Sequence, residues 1–311
     1  MKQLENIPWW ICDEGDKNYV AYCDTDSVYV NAEPLLKSLY PNFGELSDKE
    51  KDDLCEKEAL KYQNTITEYY DTLAKECFNV QEHRLEMKTE AVIRSAYFRA
   101  TRRYAQWITK KEGVEKEELD IKGLEFMKVN FPPVFGEMFN DVLQKVLKGV
   151  PQNIIDQEIL DFKSALVKNA QIPIKDLGNP TAVKTLNSYI KEKPSPGTIF
   201  SSFKDKAPAA VKAAVRYNDL MKFWKLDREH SLIAQGDKVK WVYLKNNGYK
   251  IDTIAFLDFD MPDKIKQFIE EYVDREKIFD SILLNKLENF YNDLGWTLNL
   301  NPYVNQFFSF E

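Results

Sequence analysis

The chain has 311 residues, a formal charge of −7 and a composition that is 44% hydrophobic and 13% aromatic. That length and apolar content suit two folded domains with sizeable cores and exclude an intrinsically disordered chain. No apolar run approaches the ~20 residues that cross a bilayer, and the opening MKQLENIPWW lacks the apolar segment of a secretory signal.

The first predicted element is a β-hairpin. Residues 19–23 and 28–31 are rich in Tyr and Val, with DTDS between them. A turn favours Asp and Ser for conformational reasons alone, but it also presents Asp24 and Asp26 as a pair of hard oxygen donors suited to a divalent cation. A helix follows: Ser47 and Glu50 form a capping box, and Ile66, Tyr69 or Tyr70, Leu73 and Cys77 recur at helical spacing. Extended structure is expected over 83–109, in EAVIRSAYF and RYAQWIT, with a turn at Gly113 and a further strand over 119–127, LDIKGLEFM.

Beyond Pro132–Pro133 the period becomes helical. Phe135, Met138, Phe139, Val142, Leu143, Val146 and Leu147 form one stripe, stopped by Gly149 and Pro151. A domain boundary is expected near 125. Residues 152–300 read as mostly helical, with one hairpin over 238–256 turning at Asn247–Gly248, then helices over 262–273 and 275–293 ending at Gly295.

Two compositional features bear on function. Cys12, Cys23, Cys55 and Cys77 show no CxxC spacing, and with two histidines they argue against structural zinc. They read as reduced core thiols of a cytoplasmic protein. Net charge speaks weakly against a nucleic-acid partner, yet RSAYFRATRRYAQWITKK (94–111) carries six basic groups, four aromatics and no acid. Phosphate binding depends on such local clustering rather than on the total.

YCDTDSVYV resembles the palm-domain metal-binding motif of family B DNA polymerases, and the T-even-type bacteriophage enzymes are the most similar in character. RRYA (102–105) is similar to the family's KxY motif, DIKGLE (120–125) to the segment entering the thumb, and KAPAAVKAA (206–214) and GDKVKWVYL (236–244) to thumb sequences. The resemblance implies an α+β palm fragment, an antiparallel sheet with a helix, over 1–125. A mostly helical thumb over 126–300 and a clamp-binding tail over 301–311 would follow.

It also implies roles. Asp24 and Asp26 would be catalytic carboxylates holding two Mg²⁺ ions, joined by Glu90 in EMKTEA. Arg102 and Tyr104 fall on the KxY positions, with Arg where Lys is usual, and they would contact primer–template DNA together with Arg103, Lys122 and Lys206. Gln306, Phe307, Phe308 and Phe310 would bind a sliding clamp.

The family's other palm aspartate and its fingers motif precede DTDS, and here only 23 residues precede Asp24. KSLYPNF (37–43) imitates the first but has Leu35 where Asp is needed, and KTLNSYI (184–190) imitates the second at the wrong spacing. The expectation is therefore the C-terminal subunit of a split polymerase. An N-terminal subunit would supply exonuclease, fingers, the other palm aspartate and a share of the metal site. The dNTP would be the co-substrate, and no membrane is involved. Trp9 and Trp10 would serve either as docking anchors or as palm core. The rival expectation is a non-catalytic module that tethers a clamp or a polymerase to DNA.

Overall fold

The computed structural model describes residues 19–80, 82–124, 131–168 and 172–300. The chain divides into two compact units between Leu124 and Glu125. Helices and antiparallel sheets make up an α+β protein.

In the first unit, β1 (Val20–Asp24) and β2 (Ser27–Val30) form a hairpin with Thr25–Asp26 as its two-residue connection. Helix α1 (Glu33–Leu39) follows, then the long helix α2 (Asp48–Phe78). Ser47 caps α2: its hydroxyl accepts from the Glu50 N–H, while the Glu50 carboxylate accepts from the Ser47 N–H at 2.8 Å. Asn79 takes the left-handed conformation that closes the helix. Strands β3 (Ala91–Ala100), β4 (Arg103–Lys111) and β5 (Val114–Lys122) form an antiparallel sheet in the order β3-β4-β5.

Charge rather than an apolar stripe ties α2 to this sheet. Its buried positions are Asp52, Glu58 and Ala74, whereas Tyr69 and Cys77 are exposed. Arg94 on β3 pairs with Asp48 at 3.0 Å and Asp52 at 2.5 Å. Lys110 on β4 is held by Asp53 and by Glu56, the latter at 2.8 Å. Those partners raise the Lys110 pKa despite its burial. Two cations of the basic run 94–111, Arg94 and Lys110, are thus engaged by carboxylates of α2.

In the second unit, the apolar stripe of α3 (Pro133–Leu147) buries Phe135, Phe139, Val142, Leu143 and Leu147. Phe135 meets Phe162 of α4 (Gln152–Lys168), and Phe139 meets Phe290 of α9 (Asn285–Asp293). Each such side chain contributes about 1.5–3 kcal/mol by leaving water. A short helix α5 (Ile174–Leu177) leads to β6 (Asn179–Ala182), and β7 (Ile190–Glu192) pairs with β8 (Ser202–Phe203). Helix α6 (Ala209–Phe223) packs on the sheet formed by β6, β9 (Lys238–Tyr243) and β10 (Thr253–Phe256). Helices α7 (Asp263–Tyr272) and α8 (Arg275–Phe279) follow, and a π-helical turn, Asp280–Leu284, joins α8 to α9.

Several expectations need correcting. The strand placed over 119–127 begins at Val114 and ends at Lys122, because Gly123 turns the chain with φ 63°. The second unit is less purely helical than its sequence suggested. NPTA (179–182), inside the stretch read as mostly helical, becomes an edge strand beside Val239 and Trp241, a position that tolerates Pro180. The 238–256 hairpin forms, but not with a tight Asn-Gly turn. Buried Asn247 organises a long connection through its side chain, bonding Lys245 O, Ile251 O and the Tyr249 N–H, while Lys250 takes the positive φ. The cysteines are not core thiols as a group: Cys23 and Cys77 are exposed and free. Burial pushes the Cys55 thiol up to about 11. Cys12, Trp9, Trp10 and the tail lie outside the described residues.

Candidate metal and phosphate site at two hairpin turns

Alternation along β1 points Tyr22 and Asp24 to one face and Ala21 and Cys23 to the other. Tyr22 sits opposite Tyr29 of β2, and both rings pack against Phe98 of β3 and Tyr104 of β4 at centroid distances of 5.1–5.8 Å. The Tyr29 hydroxyl donates to that of Tyr104 at 3.2 Å. Burial, then this bond, raises the Tyr29 pKa. This four-ring cluster fixes the DTDS hairpin against the three-stranded sheet. It also places the β1–β2 turn beside the β3–β4 turn, Thr101–Arg102.

The two turns are joined by an ion pair. Arg102 Nε donates to Asp24 Oδ2 at 3.0 Å, and Nη2 donates to Oδ1 at 3.3 Å. The Thr25 hydroxyl donates to Oδ1 at 3.0 Å, and the Arg102 backbone N–H donates to the Tyr22 hydroxyl at 2.9 Å. The Arg102 hydrogen bond, followed by that of Thr25, holds the Asp24 carboxyl below its ordinary range. Thr25 and Arg102 both have positive φ, 53° and 60°. Such strain in non-glycine residues persists where surrounding contacts enforce it, and it concentrates at functional sites.

Asp26 is exposed at the turn and, with Glu90, Tyr104, Asp120 and Lys122, borders an open cleft of about 1910 Å³. Glu90 is exposed just before β3, and its charge bears on the Tyr29 hydroxyl. Lys122 pairs with Asp120 at 3.3 Å, and Asp120 also accepts from buried Gln106 at 2.9 Å. Arg103 is exposed at the start of β4. Lys206 is exposed in the second unit, in a left-handed turn before α6. The candidate clamp residues Gln306, Phe307, Phe308 and Phe310 lie outside the described residues. The sequence-derived site residues of the first unit therefore share one hairpin junction and its cleft.

Mg²⁺ takes one or two carboxylates and completes its octahedron with water and phosphate oxygens. The free carboxylate of Asp26 fits that chemistry in kind. Among the described residues no group of three or more His, Cys, Asp or Glu side chains is arranged to hold a metal. Both oxygens of Asp24 are already occupied.

Sequence reasoning missed Tyr22, Tyr29 and Gly123. The two tyrosines flank DTDS symmetrically, a signal visible in the alternation. Gly123 could be found only in space: a Cβ there would lie 2.1 Å from the Arg102 carbonyl oxygen, and φ is 63°. Gly123→Ala must therefore push the Arg102 turn aside. It is expected to cost about 2 kcal/mol, read as a lower urea midpoint, and to weaken whatever the Arg102 turn binds.

Among the described residues no helix is long and apolar enough to cross a membrane. Comparison with protein-family models and with characterised proteins finds no match to this chain.

Proposed function

We propose that the chain is the C-terminal subunit of a split family B DNA polymerase acting in the cytoplasm. The observation that carries this reading is the junction of the two turns: an exposed aspartate on a two-residue hairpin, with an arginine held beside it by the neighbouring carboxylate. The first unit would be the palm fragment and the second the thumb. Primer–template DNA and dNTP would be the substrates, and an N-terminal subunit would supply the remaining palm and fingers groups. The tail would bind a sliding clamp.

In this reading Asp26 holds Mg²⁺ jointly with a carboxylate of the N-terminal subunit, with Glu90 at the edge of the same cleft. The ions would supply charge neutralisation at the phosphates and activation of the primer hydroxyl. The chain's own groups position the substrate: Arg102 and Arg103 meet the phosphate backbone, Tyr104 braces the DTDS hairpin, and Lys206 contacts the duplex from the second unit. Phosphate contacts of this kind set register without reading sequence.

A second reading, a non-catalytic DNA-binding module, draws support from Asp24, whose two oxygens already accept hydrogen bonds from Arg102 and Thr25. Primer extension separates the two. The expected result is extension with Mg²⁺ and dNTPs only when the N-terminal subunit is added. DNA binding with no extension in any combination would favour the module.

A further inference from the structure

The C-terminal end of α6 carries an aromatic cluster that the polymerase reading does not use. Tyr249 is its hub, with the rings of Phe200, Phe223, Trp224 and Phe268 set steeply around it at centroid distances of 5.7–6.3 Å. Phe268 is buried, Trp224 and Tyr249 are half-buried, and Phe223 is 47% exposed. Phe259, 80% exposed, lies on the connection between β10 and α7. That connection brings Asp260 to His230 at 2.6 Å, just beyond α6, and α7 then sets Lys264 over the Trp224 ring at 4.6 Å.

The rim of the cluster is cationic. Lys222, Lys225 and Lys250 are exposed and form no ion pair among the described residues. Lys225 follows the end of α6 and Lys250 follows Tyr249, both with positive φ, 61° and 54°, where glycine would be unstrained. We propose that this face binds single-stranded DNA, with unpaired bases stacking on Phe223 and Phe259 and phosphates running past the three lysines. The proposal goes beyond the polymerase reading and does not depend on the DTDS hairpin, because every residue in it belongs to the second unit.

An exposed ring offers a stacking partner to any unpaired base, whereas the bases of a duplex are already stacked on one another. Charge alone does not select the ligand, because exposed Asp227, Glu229 and Asp263 offset part of the lysine charge. The rings must therefore supply most of the affinity, and its salt dependence should be shallow. A carboxylate-rich peptide would use the lysines but leave the rings without a planar partner.

The test titrates the full chain, in EDTA, into fluorescein-labelled oligo(dT) and reads anisotropy. An abasic strand of the same length and charge and a duplex are the comparison probes. Phe223→Ala should weaken oligo(dT) binding about tenfold, and Phe223→Trp should bind as wild type does. The abasic strand should bind wild type about tenfold more weakly than oligo(dT) does, and neither it nor the duplex should respond to Phe223→Ala. Lys225→Gly removes one cation and relieves its left-handed turn. It should weaken oligo(dT) binding about twofold without lowering the urea midpoint.

Equal binding of the abasic strand, or unchanged oligo(dT) affinity in Phe223→Ala, would overturn the proposal. So would a duplex affinity that falls with Phe223→Ala as far as that for oligo(dT). Binding of poly-glutamate that Phe223→Ala weakens equally would assign the face to an acidic peptide instead. A wild-type chain that binds no oligo(dT) would also end the proposal, while primer extension with the N-terminal subunit would still decide the polymerase reading.

Discussion

On the proposed polymerase reading, Asp26→Ala should abolish primer extension by the chain together with its N-terminal partner, with a loss of about a thousandfold or more, while leaving the fold and the DNA affinity nearly unchanged. The side chain is exposed at a two-residue turn, so its removal exposes no apolar surface and orphans no buried donor. The effect would fall on charge neutralisation at the reacting phosphates, the largest contribution in transfers of this kind. Steady-state extension with matched protein and DNA concentrations measures it, alongside anisotropy for binding and circular dichroism for folding. Unchanged extension would eliminate a metal role for this turn. A parallel loss of DNA affinity would place Asp26 in substrate binding instead.

This expectation was visible in the sequence because its cause is local. Alternating Tyr and Val around two aspartates set a hairpin, and Ser47 with Glu50 set a helix start; both needed only near neighbours to be read. The α3 stripe was legible for the same reason, since helical periodicity survives without knowledge of the partner. What remained hidden depends on distant pairing. Arg94 and Lys110 looked like available cations until α2 brought Asp48, Asp52, Asp53 and Glu56 against them. Asn179–Ala182 lay within a stretch read as mostly helical, and it becomes a strand because β9 offers it a ladder. The different surroundings of Asp24 and Asp26 also depend on the approach of Arg102 across 78 residues of chain. Gly123 likewise has no meaning until the Arg102 carbonyl is beside it.

The second unit holds a buried polar network whose loss should be the largest stability effect in that part of the chain. Asp219 of α6 accepts from the Ser201 N–H at 2.8 Å and the Ser201 hydroxyl at 3.1 Å. Arg216, one turn earlier, donates to the Ser201 carbonyl at 2.8 Å and lies between the rings of Phe200 and Phe203 at 5.0 and 4.7 Å. Asp219→Ala would leave a buried N–H and a largely desolvated guanidinium without their carboxylate. Breaking such a pair by removing one partner costs about 3–5 kcal/mol, so the urea midpoint should fall sharply, and the β7–β8 hairpin should become protease-sensitive first.

The pH dependence checks the cause. Burial raises the Asp219 pKa above its ordinary 3.8, and its hydrogen bonds offset only part of that rise. The folded state therefore holds this proton more tightly than the unfolded state does. Its contribution to stability grows as pH falls through the raised folded value and is complete below 3.8. The stability difference between wild type and Asp219→Ala should accordingly widen on acidification. A difference that narrows instead would mean that the ion pair with Arg216 outweighs burial, and that the carboxylate is held charged in the core.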